Sequence, residues 1–290
     1  MEIKQAIKAV LPKTAIGSQK GSAKRVIKPF DKASFAIRIT LLALAVLTIY
    51  SFMNFDYKDI VLTEAFARTF DNFRKIFFEP RFNHFGLAEA LYQVGITLAL
   101  AFLTTLVGAV IAFFLGLLAA QNLSSKYISN IIKSYVAFIR SVDTVLWVLI
   151  FAVAAGLGSA AAVIGMSFHT VGYLVKAYSE SFEEIDNGVI EALKASGANW
   201  WQVVFQGVIP ASITYLLSWT FLRFEINFMN AIAMGAAAGA GGIGFELYMA
   251  SGHYFDLREV GLITYFILAF AIILETASTK AKRRLQAANS

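Results

Sequence analysis

Long apolar runs separated by short polar stretches set the pattern of this chain. A helix needs roughly 20 mostly apolar residues to cross a bilayer. Residues 34–55, 91–120, 131–155, 211–238 and 257–278 meet or nearly meet that requirement. A sixth run, 159–177, is apolar but rich in Gly, Ala and Ser, as spans that pack closely on other helices are. The run at 91–120 exceeds what a bilayer requires, which predicts tilt or extension beyond the membrane. The run at 34–55 is long for a signal-peptide core, and no small-residue cleavage site follows it. It therefore reads as a retained span. After it, TEAFARTFDNFRKIFFEP places apolar residues at helical spacing, which predicts an amphipathic helix on the outer surface. The expected fold class is all-α integral membrane, with about six transmembrane helices.

Charge orients those spans. Lys4, Lys8, Lys13, Lys20, Lys24, Arg25, Lys28 and Lys32 precede the first run, and Lys280, Lys282, Arg283 and Arg284 follow the last. Basic residues favour the cytoplasmic side, so both termini are expected there. Six spans then put 17 of the 25 Lys and Arg residues inside, six outside, and Arg140 and Arg223 within spans. The expected organisation is a basic cytoplasmic tail (1–33), a first span (34–55), an extracytoplasmic amphipathic segment (56–89), a core (90–279) with a cytoplasmic loop at 180–210, and a basic tail (280–290).

Composition excludes several classes. The chain is 58% hydrophobic and 15% charged, against about 25% charged in soluble domains. The absence of cysteine excludes disulfides and thiolate metal sites. Three histidines without an H-x-x-x-H pair give no expected metal site. The net charge of +6 sits mostly at the two ends, unlike the basic face of a nucleic-acid-binding domain.

The 180–210 loop carries the most specific pattern. Glu183, Glu184, Asp186 and Glu191 load one end with negative charge, and Trp200 and Trp201 sit among apolar residues. Gly197 follows a short helical pattern and fits a helix C-terminus. Pro210 stands where a helix begins. By periodicity alone the segment is an amphipathic connector lying on the bilayer. However, EALKASGANWWQVVFQGVIP resembles the EAA loop of ABC-importer permeases. Glu191 and Ala192 match its first two positions, Gly197 its glycine and Pro210 its closing proline. Leu193 stands in place of the second alanine, and Gly207 where an isoleucine is usual. The resemblance implies that this loop docks on a separate ATPase, with Glu191, Ala192, Leu193, Gly197 and Pro210 in the coupling segment.

Two further stretches narrow the resemblance to the phosphonate-type branch: LSWTFLRFEINFMNAIAMGAAAGAGGIGFEL and FIRSVDTVLWVLIFAVAAGLG. It covers roughly residue 91 to the C-terminus. It implies a type I importer permease in the cell membrane, working with a second copy or a sister permease. Two ATPase subunits and an extracytoplasmic substrate-binding protein would complete the assembly. ATP and Mg are expected on the ATPase and no cofactor on this chain, which carries no G-x-x-x-x-G-K-[ST]. The implied cargo is phosphonate, phosphite or phosphate. An ion-coupled carrier using Glu225 or Asp143, and a membrane enzyme acting on lipid phosphate, are the alternatives from other classes.

Ionisable residues inside spans are functional candidates by their cost. Arg140 and Asp143 lie three apart near the cytoplasmic end of the third span, a spacing that lets them pair on a helix. Arg223, Asn227 and Asn230 share a helical face, and a guanidinium there suits an oxyanion. Arg223 and Glu225 do not face each other, so each needs another partner. These residues either line the translocation path or tie helices through ion pairs. His169 with Thr170 reads as a packed, hydrogen-bonded pair.

The stretch AAAGAGGIGFEL contains G-x-G-x-x-G at Gly239, Gly241 and Gly244. A dinucleotide site needs a strand before it, whereas an apolar span precedes this one. Gly239, Gly241, Gly242 and Gly244 are instead expected to end the fifth span in a tight turn. They also permit close helix approach across a dimer. Glu246 is expected near the mouth of the path.

Overall fold

The computed structural model describes residues 32–54 and 61–287, which divide into two units at residues 61 and 62. All but the last two residues of the expected N-terminal basic tail (1–33) lie outside the described residues, as do the last three of the C-terminal one.

In the first unit, helix α1 (Lys32–Met53) is apolar on all sides, as a lipid-immersed helix is. Its Thr40 and Thr48 hydroxyls donate to the carbonyls of Ala36 and Leu44 at 3.0 and 2.8 Å. A helix in lipid must satisfy its polar groups internally in this way.

The second unit contains α2 (Leu62–Phe78), α3 (Leu87–Ala119), α4 (Lys126–Ser141), α5 (Thr144–Ala155), α6 (Ser159–Glu183), α7 (Asn187–Ala195), α8 (Trp200–Val203), α9 (Ile209–Ala238), α10 (Ile243–Tyr248) and α11 (Leu257–Ala287). One-turn π segments occupy Val204–Val208 and Met249–His253. Among the described residues of both units, five helical stretches, α1 included, are long and apolar enough to span a membrane.

Helix α6 is the hub, packed on α3, α4, α5 and α9. Its small residues make this possible. A Cβ on Gly165 would lie 2.6 Å from Val148 Cα, and one on Gly108 of α3 would overlap the Thr170 side chain. The small-residue run at 159–177 is therefore a packed span, extended to Glu183.

The third span differs from expectation. The 131–155 run is two helices, α4 and α5, bent by 90°. Val142 is extended, and the Asp143 carboxylate accepts the Val145 N–H at 2.8 Å as the N-cap of α5. The Trp147 indole closes the corner by donating to the Ile139 carbonyl at 2.9 Å, one of the carbonyls that the end of α4 leaves unpaired.

Helix α2 is amphipathic, with Phe66, Phe70, Phe73 and Phe77 exposed on one face. It docks on α11, where a Cβ on Gly261 would overlap the Ile76 carbonyl. The Tyr265 hydroxyl donates to the Phe77 carbonyl at 2.7 Å.

Candidate functional site

The 180–210 loop folds as two short helices with strong local signals. The Asp186 carboxylate caps α7 by accepting the Gly188 N–H at 2.9 Å. At the other end Gly197 adopts φ +86°. Its N–H donates to the Lys194 carbonyl, and the Ala198 N–H donates to the Leu193 carbonyl. That pair of bonds is the Schellman arrangement, which a glycine in this conformation allows. Asn199 and Gln202 form a capping box at the start of α8. Glu191, Ala192 and Gly197 are exposed, while Ile190 is buried inward.

Helix is continuous from α8 through the π segment into α9, spanning Trp200–Ala238 over 39 residues. Pro210 sits in the first turn of α9. A proline ring clashes with the carbonyl four residues back, and the wider π register just before it relieves that clash. The two departures from the EAA pattern meet in space. A Cβ on Gly207 would lie 2.7 Å from Leu193 Cδ1, so the missing side chain at one makes room for the larger one at the other. The Trp200 indole donates to the Leu123 carbonyl at 2.9 Å, which fixes α8 to the α3–α4 connection. Trp201 and Phe205 stack on the exposed side.

A polar cluster lies deep between α3, α5, α6 and α9. Arg223 and Asn227 on α9 are buried with Thr170 on α6 and Thr105 on α3. Arg223 Nε donates to Thr170 Oγ1 at 3.2 Å, and its Nη2 lies 3.0 Å from His169 Nδ1. Asn227 Nδ2 donates to Thr105 Oγ1 at 2.9 Å and to Thr170 Oγ1 at 3.0 Å. Arginine only donates, so His169 Nδ1 accepts and the imidazole proton sits on Nε2. The Tyr173 ring lies 5.1 Å from the guanidinium carbon.

Several expected pairings change. His169 bonds to Arg223 and Thr144 rather than to Thr170. Glu225 meets Lys282 of α11 at 3.5 Å, while Arg223 makes no ion pair among the described residues. Asn230 is half-buried and makes no hydrogen bond in the cluster. Arg140 and Asp143 do not pair, because the helix breaks between them and Asp143 is spent on its cap. They flank the corner between α4 and α5. Arg140 is exposed and lines a cleft of about 310 Å³ with Lys133, Lys176, Glu180 and Glu183.

Gly239 caps the end of α9 in the left-handed conformation. Gly239, Gly241 and Gly242 have φ of +64°, +81° and +76°. Gly244 lies within α10, where a Cβ would overlap the Ile232 carbonyl. The close approach seen here is thus within one chain. The Gln93 amide donates to Glu246 and to Glu89, each at 3.0 Å.

A carboxylate clamp beside the start of α3 was not foreseen from the sequence. Glu259 is fully buried and accepts the N–H groups of Asn83 and His84 at 3.2 and 2.8 Å, with His84 Nδ1 at 2.6 Å. Burial pushes the Asp256 carboxyl up, but hydrogen bonds from Asn83 and from the N–H groups of Glu259 and Arg258 outweigh it and hold the group below its usual range. The Arg258 hydrogen bond likewise holds Glu79 low. The ligand atoms of His84, Asp256 and Glu259 lie within 4.8 Å of one another. These hydrogen bonds already occupy them in fastening the segment before α3 to the start of α11.

Comparison with known proteins adds the following. The profile of the family described as "Binding-protein-dependent transport system inner membrane component" matches residues 112–282. The chain is 28% identical over 195 residues to the phosphate-import permease protein of Mycolicibacterium smegmatis, covering 67% of this chain and 36% of that protein. It is 31% identical over 183 residues to the phosphite transport system permease protein of Stutzerimonas stutzeri, covering 63% and 66%. The chain thus spans about one to two thirds of the length of these relatives. An inward-facing methionine ABC transporter structure matches with TM-score 0.60 at 22% identity, over 68% of this chain and 95% of that one. That likeness is one of fold.

Proposed function

The chain belongs to the family of binding-protein-dependent transport system inner membrane components, and on that premise we propose that it is the membrane-spanning permease of an ATP-driven importer for a phosphorus oxyanion. It is a multi-pass membrane protein. The observation that carries the importer reading is the exposed α7, capped at both ends and joined through α8 to the rod-like α9. Relatives named for phosphate and phosphite transport support the substrate class. Phosphonate, phosphite and phosphate share tetrahedral geometry and negative charge.

In this reading two permeases, identical or sister chains, bind two ATPase subunits through their α7 segments. ATP and Mg are held on the ATPase. Closure of the ATPases displaces α7, and contact of Leu193 with Gly207 passes the displacement into α9. A binding protein delivers the anion from outside the cell membrane, and both termini of the chain lie in the cytoplasm. Arg223 and Asn227 handle the anion, with Arg140 on its way out. The Glu225–Lys282 pair ties α9 to α11, and the Gly239–Gly244 turn shapes the far end of α9.

The test is uptake in proteoliposomes holding the permease, its ATPase and its binding protein. The expected result is accumulation of methylphosphonate, phosphite or phosphate that requires ATP inside and the binding protein outside. Accumulation driven by an ion gradient without ATP would contradict the reading and favour a carrier.

A further inference from the structure

Arg223 stands at the midpoint of the 30-residue α9. It is 2% exposed and has no carboxylate partner among the described residues. Its surroundings are Thr170, a histidine whose bonding makes it neutral, the Asn227 amide that shares Thr170, and a tyrosine ring. A buried charge without a counter-charge is costly. Fastening α9 to α6 and α3 does not require it, because Asn227 makes those bonds without charge. The guanidinium gives two of its five N–H groups to neutral acceptors, Thr170 and His169, which leaves further donors on a positive charge with no counter-charge among the described residues, a combination suited to an oxyanion.

A second observation gives the cluster an outlet. His169 and Gly172 are three apart on α6 and share a face. A Cβ on Gly172 would lie 3.4 Å from Arg140 Cγ. Arg140 in turn lines the cleft that carries Lys133 and Lys176. Those two lysines are paired with Glu183 and Glu180, whereas Arg140 makes no ion pair among the described residues. The positive groups therefore run from the buried Arg223 past His169 to the exposed Arg140.

We propose that Arg223, His169, Thr170 and Asn227 form an oxyanion site inside each permease chain, closed in this conformation and occupied by the transported anion when α6 and α9 part. The site rests on the importer reading and adds to it where the anion sits. It makes two sites per pair of chains, each within a single chain and not shared across their seam.

The site is tested on the full chain assembled with its ATPase in lipid nanodiscs, without binding protein. Millimolar phosphite or methylphosphonate should raise the thermal midpoint of the wild type and leave that of Arg223→Gln unmoved. Without anion, Arg223→Gln should assemble normally with a midpoint equal to or above the wild type, since it removes an uncompensated charge. ATP-driven phosphite uptake in the complete system should fall at least tenfold in this variant, and Thr170→Val should weaken the anion-induced shift. Absence of any anion-dependent shift in the wild type would overturn the site. So would wild-type uptake by Arg223→Gln, or a lowered midpoint or failed assembly marking a clamp. Wild-type uptake that needs no ATP would instead overturn the importer reading.

Discussion

Leu193 and Gly207 form the contact through which α7 bears on the start of α9. Leu193→Ala should lower stability by about 1–2 kcal/mol, at or below the low end for truncating a leucine because this one is only half-buried. Gly207→Ile should cost about 1–3 kcal/mol by overpacking. Together they should cost less than the sum, with a coupling of at least about 0.5 kcal/mol, read from thermal midpoints of the four proteins. Strict additivity would mean that the two side chains do not share one space. Asp143 separates cap from charge. Asp143→Asn keeps a capping oxygen and should leave stability and uptake near wild type. Asp143→Ala should lose about 1 kcal/mol. A large loss of uptake in Asp143→Asn would show that the charge is needed. The sequence displayed both departures at 193 and 207 but not their contact, since only the fold brings them together. Arg223 was legible as a costly residue. Its pairing with Thr170 and His169, 53 and 54 positions away, was not.

Hydropathy located the spans because a bilayer imposes length and apolarity on each. It could not locate the α4–α5 corner, since both limbs are apolar and a window averages across the break. The local signal was S-V-D-T ahead of an apolar run, with Asp143 in the place of an N-cap. Trp147→Phe should open this corner, at a cost of about 1–3 kcal/mol for the unpaired Ile139 carbonyl, seen as faster amide exchange across residues 139–147. The fastening of α2 to α11 depends on carboxylates, and its pH dependence has a definite sign. The Glu79 and Asp256 groups are held below their ordinary values of 4.5 and 3.8. Their contribution is fully present above those values and is lost as pH falls through the lower folded-state values. Acidification from about pH 5 to about pH 3 should free α2 for pepsin cleavage. Glu79→Gln should blunt that dependence. An α2 equally resistant at both pH values would contradict the clamp. Its central pair, His84 and Glu259, are 175 residues apart, so no spacing rule could reveal it.

At the scale of the molecule, the central claim is that a cytoplasmic docking helix drives a membrane rod. The 39 residues of Trp200–Ala238 extend about 58 Å at about 1.5 Å per residue. This length is sufficient to carry a displacement from α7 past Arg223 to the glycine turn. The fold class was legible because the EAA-like spacing and the span pattern point to the same architecture. The chain has no cysteine, so a single introduced one reports without background. The most direct measurement is cross-linking of Ala192→Cys to the ATPase in native membranes, with and without Gly197→Asp in the same chain. Ala192→Cys should give one stoichiometric adduct with the ATPase, and Gly197→Asp should abolish it while the chain remains inserted. No adduct from Ala192→Cys, or an undiminished one with Gly197→Asp, would contradict the coupling role of α7.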